Sequence, residues 1–291
     1  MLLTFIAFFA KANTLLKKAV LFMLLSTLSF TGMNLMIKYL ETIPTFQIVF
    51  FRALGTVVLA SIFLLKNGIN FLGNNRRLLV FRAFFGVTAM TLFFMSLKEL
   101  EAGTAVSIRY IAPVFASVIA VYFLKEKLRA IQLLLFAIAF SGVMVIKGFD
   151  PNINLKGLAL ALAAAFFTGF VYIFIRKIGK GDHYMVIVNY FMFFSLAIGG
   201  ILAINVWVNP TTAQWAMLLS LGVFGYFGQI YMTQAFQLAK TNVVAPLKYM
   251  EVVFTILISF TWLGAKYTTL SLVGVTMIIS ALIVNTLLKK A

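Results

Sequence analysis

Long apolar runs, separated by short polar turns, recur along almost the whole chain. A helix needs about 20 apolar residues to cross the hydrocarbon core of a bilayer, and the pattern predicts ten such helices after a tail at residues 1–18. The expected fold is therefore an all-α integral membrane bundle. The predicted spans are residues 19–40, 46–66, 77–97, 103–124, 131–148, 155–176, 184–206, 213–237, 243–264 and 268–288.

The composition supports a membrane protein and limits the chemistry. Of the 291 residues, 63% are hydrophobic and 11% are charged, whereas average soluble domains are about half apolar and a quarter charged. The chain contains no cysteine, which excludes disulfides, iron–sulfur clusters and thiolate zinc sites. Its one histidine, His183, lies in a short polar loop. We expect no metal, no cofactor and no catalytic residues.

The formal net charge of +17 has to be interpreted from the positions of the basic residues. They cluster at the ends of apolar runs, as anchors of cytoplasmic loops do, and this argues against nucleic-acid binding. With a cytoplasmic N-terminus, sixteen of the 24 Lys and Arg residues, Arg82 among them, fall on the inner side and five on the outer side. We therefore expect both termini to be cytoplasmic, in the plasma (bacterial inner) membrane.

The chain contains an internal repeat of five predicted helices. "FTGMNLMIKYL" at 30–40 aligns with "FTGFVYIFIRKI" at 167–178, and Arg109-Tyr110 aligns with Lys248-Tyr249. The units cover residues 19–148 and 155–288. Because five is odd, the second unit enters the membrane from the opposite side, so the repeats are inverted. Inverted repeats are typical of secondary transporters, with a substrate site near the midplane between them.

Three cations fall within predicted spans: Arg52 in the second, Arg109 in the fourth and Lys248 in the ninth. A charge buried there costs roughly 2.5–3.5 kcal/mol on translocon scales, so it is expected to face a wet cavity or a partner. Counted against one nearby acid, Glu251, these cations give the candidate cavity a net positive charge. Such a cavity favours a solute with a carboxylate or a phosphate. The candidate substrate-binding residues are Arg52, Arg109, Tyr110, Lys248, Tyr249 and Glu251.

Structural roles compete with binding at two of these positions. Arg52 is only a few residues from a span end, so its side chain could extend to the interface. Lys248 and Glu251 are three residues apart and could form an ion pair on one helix face. Glu251 could also receive a substrate amine or a coupling proton. We favour a binding role for Arg109, because the acids nearest in sequence lie in a loop.

Two further patterns concern the helices themselves. Pro113 and Pro246 lie in the corresponding region of the two repeats, where a proline can break a helix. Gly222, Gly225 and Gly228 form a stripe of small residues in the eighth span, and this spacing favours close helix packing.

Several stretches resemble the EamA-type members of the drug/metabolite transporter superfamily: "FTGMNLMIKYL", "FFRALG" with Arg52, "AGTAVSIRYIAPVFASVIAVYFLKEKL" and "FAIAFSGVMVI". The resemblance covers residues 19–288 and implies ten helices in two inverted five-helix repeats. It also implies transport of amino acids, nucleotide-like metabolites, vitamins or drugs. The second repeat departs from the family pattern at Val252, where proline is common, and at Ala265 in "WLGAKY", where an acid is expected.

The expected function is alternating-access transport of a small polar metabolite, carboxylate- or phosphate-bearing, by a monomer or homodimer in the lipid bilayer. Coupling to protons is compatible with Glu251. One alternative is a membrane-embedded enzyme acting on lipid-linked substrates, although such chemistry usually needs clustered acids. The other alternative is a structural or sensing bundle that transports nothing.

Overall fold

The protein is all-helical over the part of the chain that the computed structural model describes, which is residues 14–124, 130–149, 154–179, 181–238, 247–248, 250–262 and 264–288. These residues contain eleven α-helices, with a short 3₁₀ turn after α8. The helices are α1 Thr14–Tyr39, α2 Thr45–Lys66, α3 Arg76–Glu99, α4 Ala102–Arg109, α5 Ala112–Leu124, α6 Ala130–Phe149, α7 Leu155–Ile178, α8 Tyr184–Ala203, α9 Thr212–Leu238, α10 Met250–Trp262 and α11 Thr269–Leu288.

The protein is a multi-pass membrane protein. Six helices of the described chain, α1, α2, α3, α7, α8 and α9, are long and apolar enough to cross a bilayer. Shorter apolar helices lie in the predicted fourth, ninth and tenth spans, and α6 lies in the fifth, so the number of ten spans stays a prediction. Large apolar side chains cover much of the outer surface, as lipid contact requires, and Trp262 is 82% exposed.

The predicted fourth span is not one helix. Helix α4 ends at Arg109 and α5 begins at Ala112, with a turn at Tyr110 and Ile111 between them. Pro113 explains the interruption, because proline has no backbone N–H to continue the ladder but is well tolerated in the first turn of a helix. The turn is closed by bonds from the amides of Tyr110 to Val106 and of Ile111 to Ile108. Pro246 lies outside the described residues.

Helix contacts between the two halves come in matched pairs. Helix α1 packs on α9 and α10, and its counterpart α7 packs on α3 and on α4 with α5. The contact of α2 with α9 has its counterpart in the contact of α8 with α3, and α2 also packs on α8. Helices α6 and α11 pack on each other. Exchanging the halves therefore maps this set of contacts onto itself.

Glycines bring α2 and α9 into backbone contact. A Cβ added at Gly222 would lie 2.6 Å from the Cα of Gly55, and one added at Gly55 would lie 2.8 Å from the Cα of Gly222. One turn further along α9, a Cβ at Gly225 would lie 3.2 Å from Nε of Arg52. Thr56 Oγ1 donates to the carbonyl of Gly222 (3.1 Å) at the same crossing. Small residues thus let the two repeats meet closely beside Arg52.

Candidate functional site

A cavity of about 110 Å³ lies inside the bundle, with walls from both repeats. One water needs about 10–15 Å³ of such space, so this cavity holds several waters or part of a small solute. Its apolar wall includes Phe30, Phe93, Phe94 and Phe191. Its polar lining consists of Arg52, Arg82, Arg109, Tyr110, Thr168, Tyr172, Gln229 and Lys248.

Arg109 forms an ion pair across the repeats with Glu251. Its Nη2 lies 2.7 Å from Oε1 of Glu251, whose side chain is fully buried. The Tyr110 hydroxyl donates to Oε2 (2.6 Å) and Nδ2 of Asn34 donates to Oε1 (3.0 Å). The guanidinium carbon of Arg109 also lies 3.8 Å from the centroid of the Phe93 ring. A buried charge pair is tolerated only when further hydrogen bonds satisfy it, and here they do.

The broken helix explains why these two side chains meet. Arg109 lies in the last turn of α4 and Glu251 in the first turn of α10, and these helices pack on each other. The C-terminus of a helix favours a cation and the N-terminus favours an anion, because of the helix dipole. Each charge therefore sits at the helix end that stabilises it and pairs with the other.

Lys248 lies near this pair but does not form an ion pair with Glu251. It belongs to a 3₁₀ turn at 247–248 that precedes α10, so the helical spacing assumed for the two residues does not apply. Its Nζ donates to the sulfur of Met232 (3.3 Å) and lies 5.8 Å from the ring centroids of both Tyr110 and Tyr172. Thioethers are weak acceptors, so the ammonium remains poorly compensated. Tyr249 lies outside the described residues.

Arg52 is buried rather than extended to the interface. It is 3% exposed, and Nε and Nη1 donate to the sulfurs of Met33 and Met90. Its guanidinium carbon lies 5.4 Å from the ring centroid of Phe94 and 5.9 Å from that of Phe191. The three ion pairs among the described residues, Lys38–Glu41, Arg109–Glu251 and Lys156–Glu99, do not include Arg52.

The structure corrects the assignment of Arg82 to the cytoplasmic surface. Arg82 is 3% exposed and lines the cavity, with its guanidinium carbon 4.1 Å from the centroid of the Phe191 ring. Its Nε and Nη1 have no hydrogen-bond partner among the described residues. Arg82 lies in the second turn of α3. A basic residue so close to the end of a span is ordinarily an anchor at the membrane interface. Only the direction of the side chain places it inside.

Sequence reasoning also missed Asn34, Tyr172 and two further polar residues of the cavity wall, Thr168 and Gln229. Asn34 is fully buried and binds Glu251, and Tyr172 lines the cavity beside Lys248. The sequence did contain a signal for Asn34 and Tyr172. Each is a polar residue within one of the two aligned motifs, "FTGMNLMIKYL" and "FTGFVYIFIRKI". Thus four cations line the cavity, and the one carboxylate that contacts them among the described residues is that of Glu251.

Known proteins resemble the chain over most of its length. A pseudopaline exporter (CntI) of Pseudomonas aeruginosa is 27% identical over 243 residues, which cover 82% of this chain and 86% of the exporter. Solute carrier family 35 member G1 of Homo sapiens is 28% identical and covers 79% of this chain and 68% of its own length. An S-adenosylmethionine uptake transporter of Rickettsia bellii is 26% identical, with coverage of 81% and 82%.

The fold and family comparisons agree with the helical organisation. A chain of known crystal structure superposes with a TM-score of 0.69 at 17% identity, over 93% of this chain and 96% of its own length, so the two share a fold. The EamA-like transporter family matches twice, over residues 17–148 and 155–287, so the two halves are repeats of one domain. The chain is therefore a member of the EamA-like transporter family.

Proposed function

We propose that the protein is a secondary, alternating-access transporter of a small polar metabolite that carries a carboxylate or a phosphate. The observation that carries this proposal is the cavity between the repeats, lined by Arg52, Arg82, Arg109 and Lys248. Cations within a membrane are costly unless they serve a pathway or a partner. Among the described residues, only Arg109 of these four cations has a carboxylate partner. An anionic solute would supply the negative charge that the other three lack.

The named relatives support transport of small solutes. Their names describe export of pseudopaline and uptake of S-adenosylmethionine, both small metabolites. The matched helix contacts of the two halves support inverted repeats of five helices each, ten in total. In such an arrangement one unit can rock against the other and open the site to one side at a time. Both termini then lie in the cytoplasm, and the protein resides in the bacterial inner membrane.

The Arg109–Glu251 pair suits a carrier whose site must open and close. It joins the end of α4 to the start of α10, so a movement that separates these helices must break the contact. Glu251 could exchange Arg109 for a substrate amine or take up a coupling proton. Residues of one chain line the cavity. A monomer would therefore carry one site, and a homodimer would carry one site in each protomer.

Flux through reconstituted vesicles tests the proposal. Purified protein is screened for uptake of amino acids, organic acids, nucleotides and vitamins, and the solutes moved are then measured with Arg109→Ala. We expect that variant to abolish flux while an exposed control on the cytoplasmic end of α3, Arg77→Ala, retains it. If Arg109→Ala matched wild type on every solute moved, Arg109 would have no role in binding.

Misfolding must be separated from loss of binding. Arg109→Ala leaves the buried carboxylate of Glu251 uncompensated, which destabilises a protein by itself. The double variant Arg109→Gln, Glu251→Gln removes both charges together and keeps hydrogen-bonding capacity. We expect it to insert, to be more stable than Arg109→Ala and still to lack flux. Wild-type flux in this variant would contradict an anion-binding role for the pair.

A further inference from the structure

The N–H groups of Arg82 are the largest unsatisfied polar feature of the cavity. The side chain is 3% exposed, and both Nε and Nη1 have no hydrogen-bond partner among the described residues. A guanidinium that is removed from water and left without acceptors is costly. Since Arg82 lines the cavity, an acceptor that enters the cavity can satisfy it.

Arg52 lies near the same aromatic ring. The guanidinium carbons of Arg82 and Arg52 are 4.1 and 5.9 Å from the centroid of Phe191. Because both distances end at one point, the two carbons are no more than 10.0 Å apart. The polar contacts of Arg52 are to methionine sulfurs, which are weak acceptors. Two cations thus lie near one ring of the cavity wall, and no carboxylate of the described residues pairs with either of them.

Arg109 differs from these two cations because it already has a carboxylate. Glu251 binds Arg109 and accepts from Tyr110, so this charge is compensated. The excess positive charge therefore lies at Lys248 and at Arg52 and Arg82. We call these two arginines the arginine pair.

Glycines leave room for the guanidinium groups of the arginine pair. A Cβ at Gly86 would lie 3.1 Å from Nη1 of Arg82, and a Cβ at Gly225 would lie 3.2 Å from Nε of Arg52. Both distances are shorter than ordinary van der Waals contact, so any larger residue would press on a guanidinium. The helix backbones thus accommodate both arginine side chains inside the bundle.

We propose that the arginine pair is a subsite for a doubly charged anionic group, a phosphate monoester or a short dicarboxylate. Guanidinium groups bind such groups through paired, charge-assisted hydrogen bonds. Two of them together neutralise a dianion, whereas a single carboxylate leaves one cation unpaired in the membrane. This inference rests on the proposed function, because it names the class of solute that the same cavity accepts.

Ligand-induced stabilisation of the purified wild-type protein tests the subsite. The probes are inorganic phosphate and succinate as dianions, with acetate and lactate as monoanions, at pH 8 and equal ionic strength. A ligand that binds only the folded state raises the melting temperature with concentration. We expect the dianions to bind with about ten-fold or more higher apparent affinity than the monoanions. Equal shifts from both classes would overturn the proposal.

Substitutions assign that preference to the arginine pair. Arg82→Gln should lower the apparent affinity for phosphate about ten-fold or more and abolish the preference for dianions. Arg77→Gln, an exposed arginine at the start of the same helix, should leave it unchanged. If Arg82→Gln fails to fold, Arg82→Lys replaces it, since it keeps the charge but loses the forked N–H groups that bind an anion in pairs. A preference retained in the variant used would overturn the proposal.

The proposal assigns the anionic group to a soluble solute rather than to a lipid headgroup. One comparison tests this assignment. Phosphatidic acid in the micelle should stabilise the protein less than inorganic phosphate does; the reverse order would overturn the assignment to a soluble solute. Failure of the carrier proposal is distinguishable, since it appears as the absence of vesicle flux for every solute screened. Dianion binding at the arginine pair can be measured whether or not flux occurs.

Discussion

Arg109 and Glu251 are 142 positions apart in the chain, yet the Arg109 guanidinium lies 2.7 Å from the Glu251 carboxylate. They belong to different repeats and lie at the ends of two helices that pack on each other. This ion pair links the two halves directly, together with the bonds from Tyr110 and Asn34 to the same carboxylate. Its strength should be measurable apart from transport.

We expect Glu251→Gln to destabilise the protein by up to about 3 kcal/mol, because removing one partner leaves the Arg109 guanidinium, whose side chain is 21% exposed, uncompensated. Adding Arg109→Gln should restore part of this loss, so the two changes are not additive. Thermal unfolding of the single and double variants in detergent measures the coupling. The Lys38–Glu41 pair, with Glu41 59% exposed, serves as the control and should contribute about 0–1 kcal/mol. Strict additivity of the Arg109 and Glu251 changes would contradict a direct interaction.

We expect Gly222→Val to destabilise the protein by about 1–3 kcal/mol or more, because overpacking at a tight contact forces backbone shifts. The first added atom would lie 2.6 Å from the Cα of Gly55, so α2 and α9 would have to separate beside Arg52. The melting temperature and the flux of reconstituted protein measure the effect. Val223→Leu is the matched control, because the neighbouring side chain is 45% exposed on the lipid side. A Gly222→Val variant as stable as this control would contradict the backbone contact.

His183 should make stability depend on pH in the acidic range. It is the N-cap of α8, where its Nδ1 accepts from the amide of Met185 (3.2 Å), and desolvation lowers its pKa from the ordinary value of 6.5. Because the folded pKa is below the unfolded pKa, the unfolded state binds more protons, and stability falls as the pH drops below 6.5 towards the folded pKa. Protonation also removes the Nδ1 acceptor.

The His183→Asn variant isolates this contribution, since Asn is a good N-cap residue that does not titrate. Melting temperatures of wild type and variant are compared between pH 8 and pH 5. We expect the difference between them to favour the variant increasingly as the pH falls. Parallel pH profiles would show that His183 does not contribute.

The absence of cysteine from the sequence makes the membrane orientation directly testable. With both termini in the cytoplasm, the loop after α2 lies inside and the loop after α8 lies outside. We expect Asn209→Cys, in an exposed loop position, to react with a membrane-impermeant maleimide in intact cells. Asn67→Cys should react only after the membrane is opened. The opposite pattern would reverse the proposed orientation.

Much of the architecture could be predicted from local pattern alone. Apolar runs of the length of a bilayer predicted α1, α2, α3, α7, α8 and α9, and the internal repeat agrees with the two family matches. These features depend on composition and spacing over short stretches, which the bilayer constrains strongly. Pro113 indicated that the fourth span could be interrupted. The sequence did not predict that the helix would end at Arg109.

The composition of the site depends on contacts between residues that are distant in the sequence, and no local pattern predicts these contacts. Spacing suggested that Lys248 pairs with Glu251, but α10 begins only at Met250, and the carboxylate binds Arg109 instead. Arg82 looked like an interfacial anchor, yet its side chain points into the cavity. That the cavity binds a solute stays a prediction.

The sequence by itself determined that this chain is a helical membrane protein of repeated halves with cations in its spans, because hydropathy and duplication are written along the chain. Only the tertiary structure decided which cations share a cavity and which of them has an acid. The reason is physical: partners such as Arg109 and Glu251 are brought together by helix packing across the repeats, over a separation at which sequence spacing carries no geometric information.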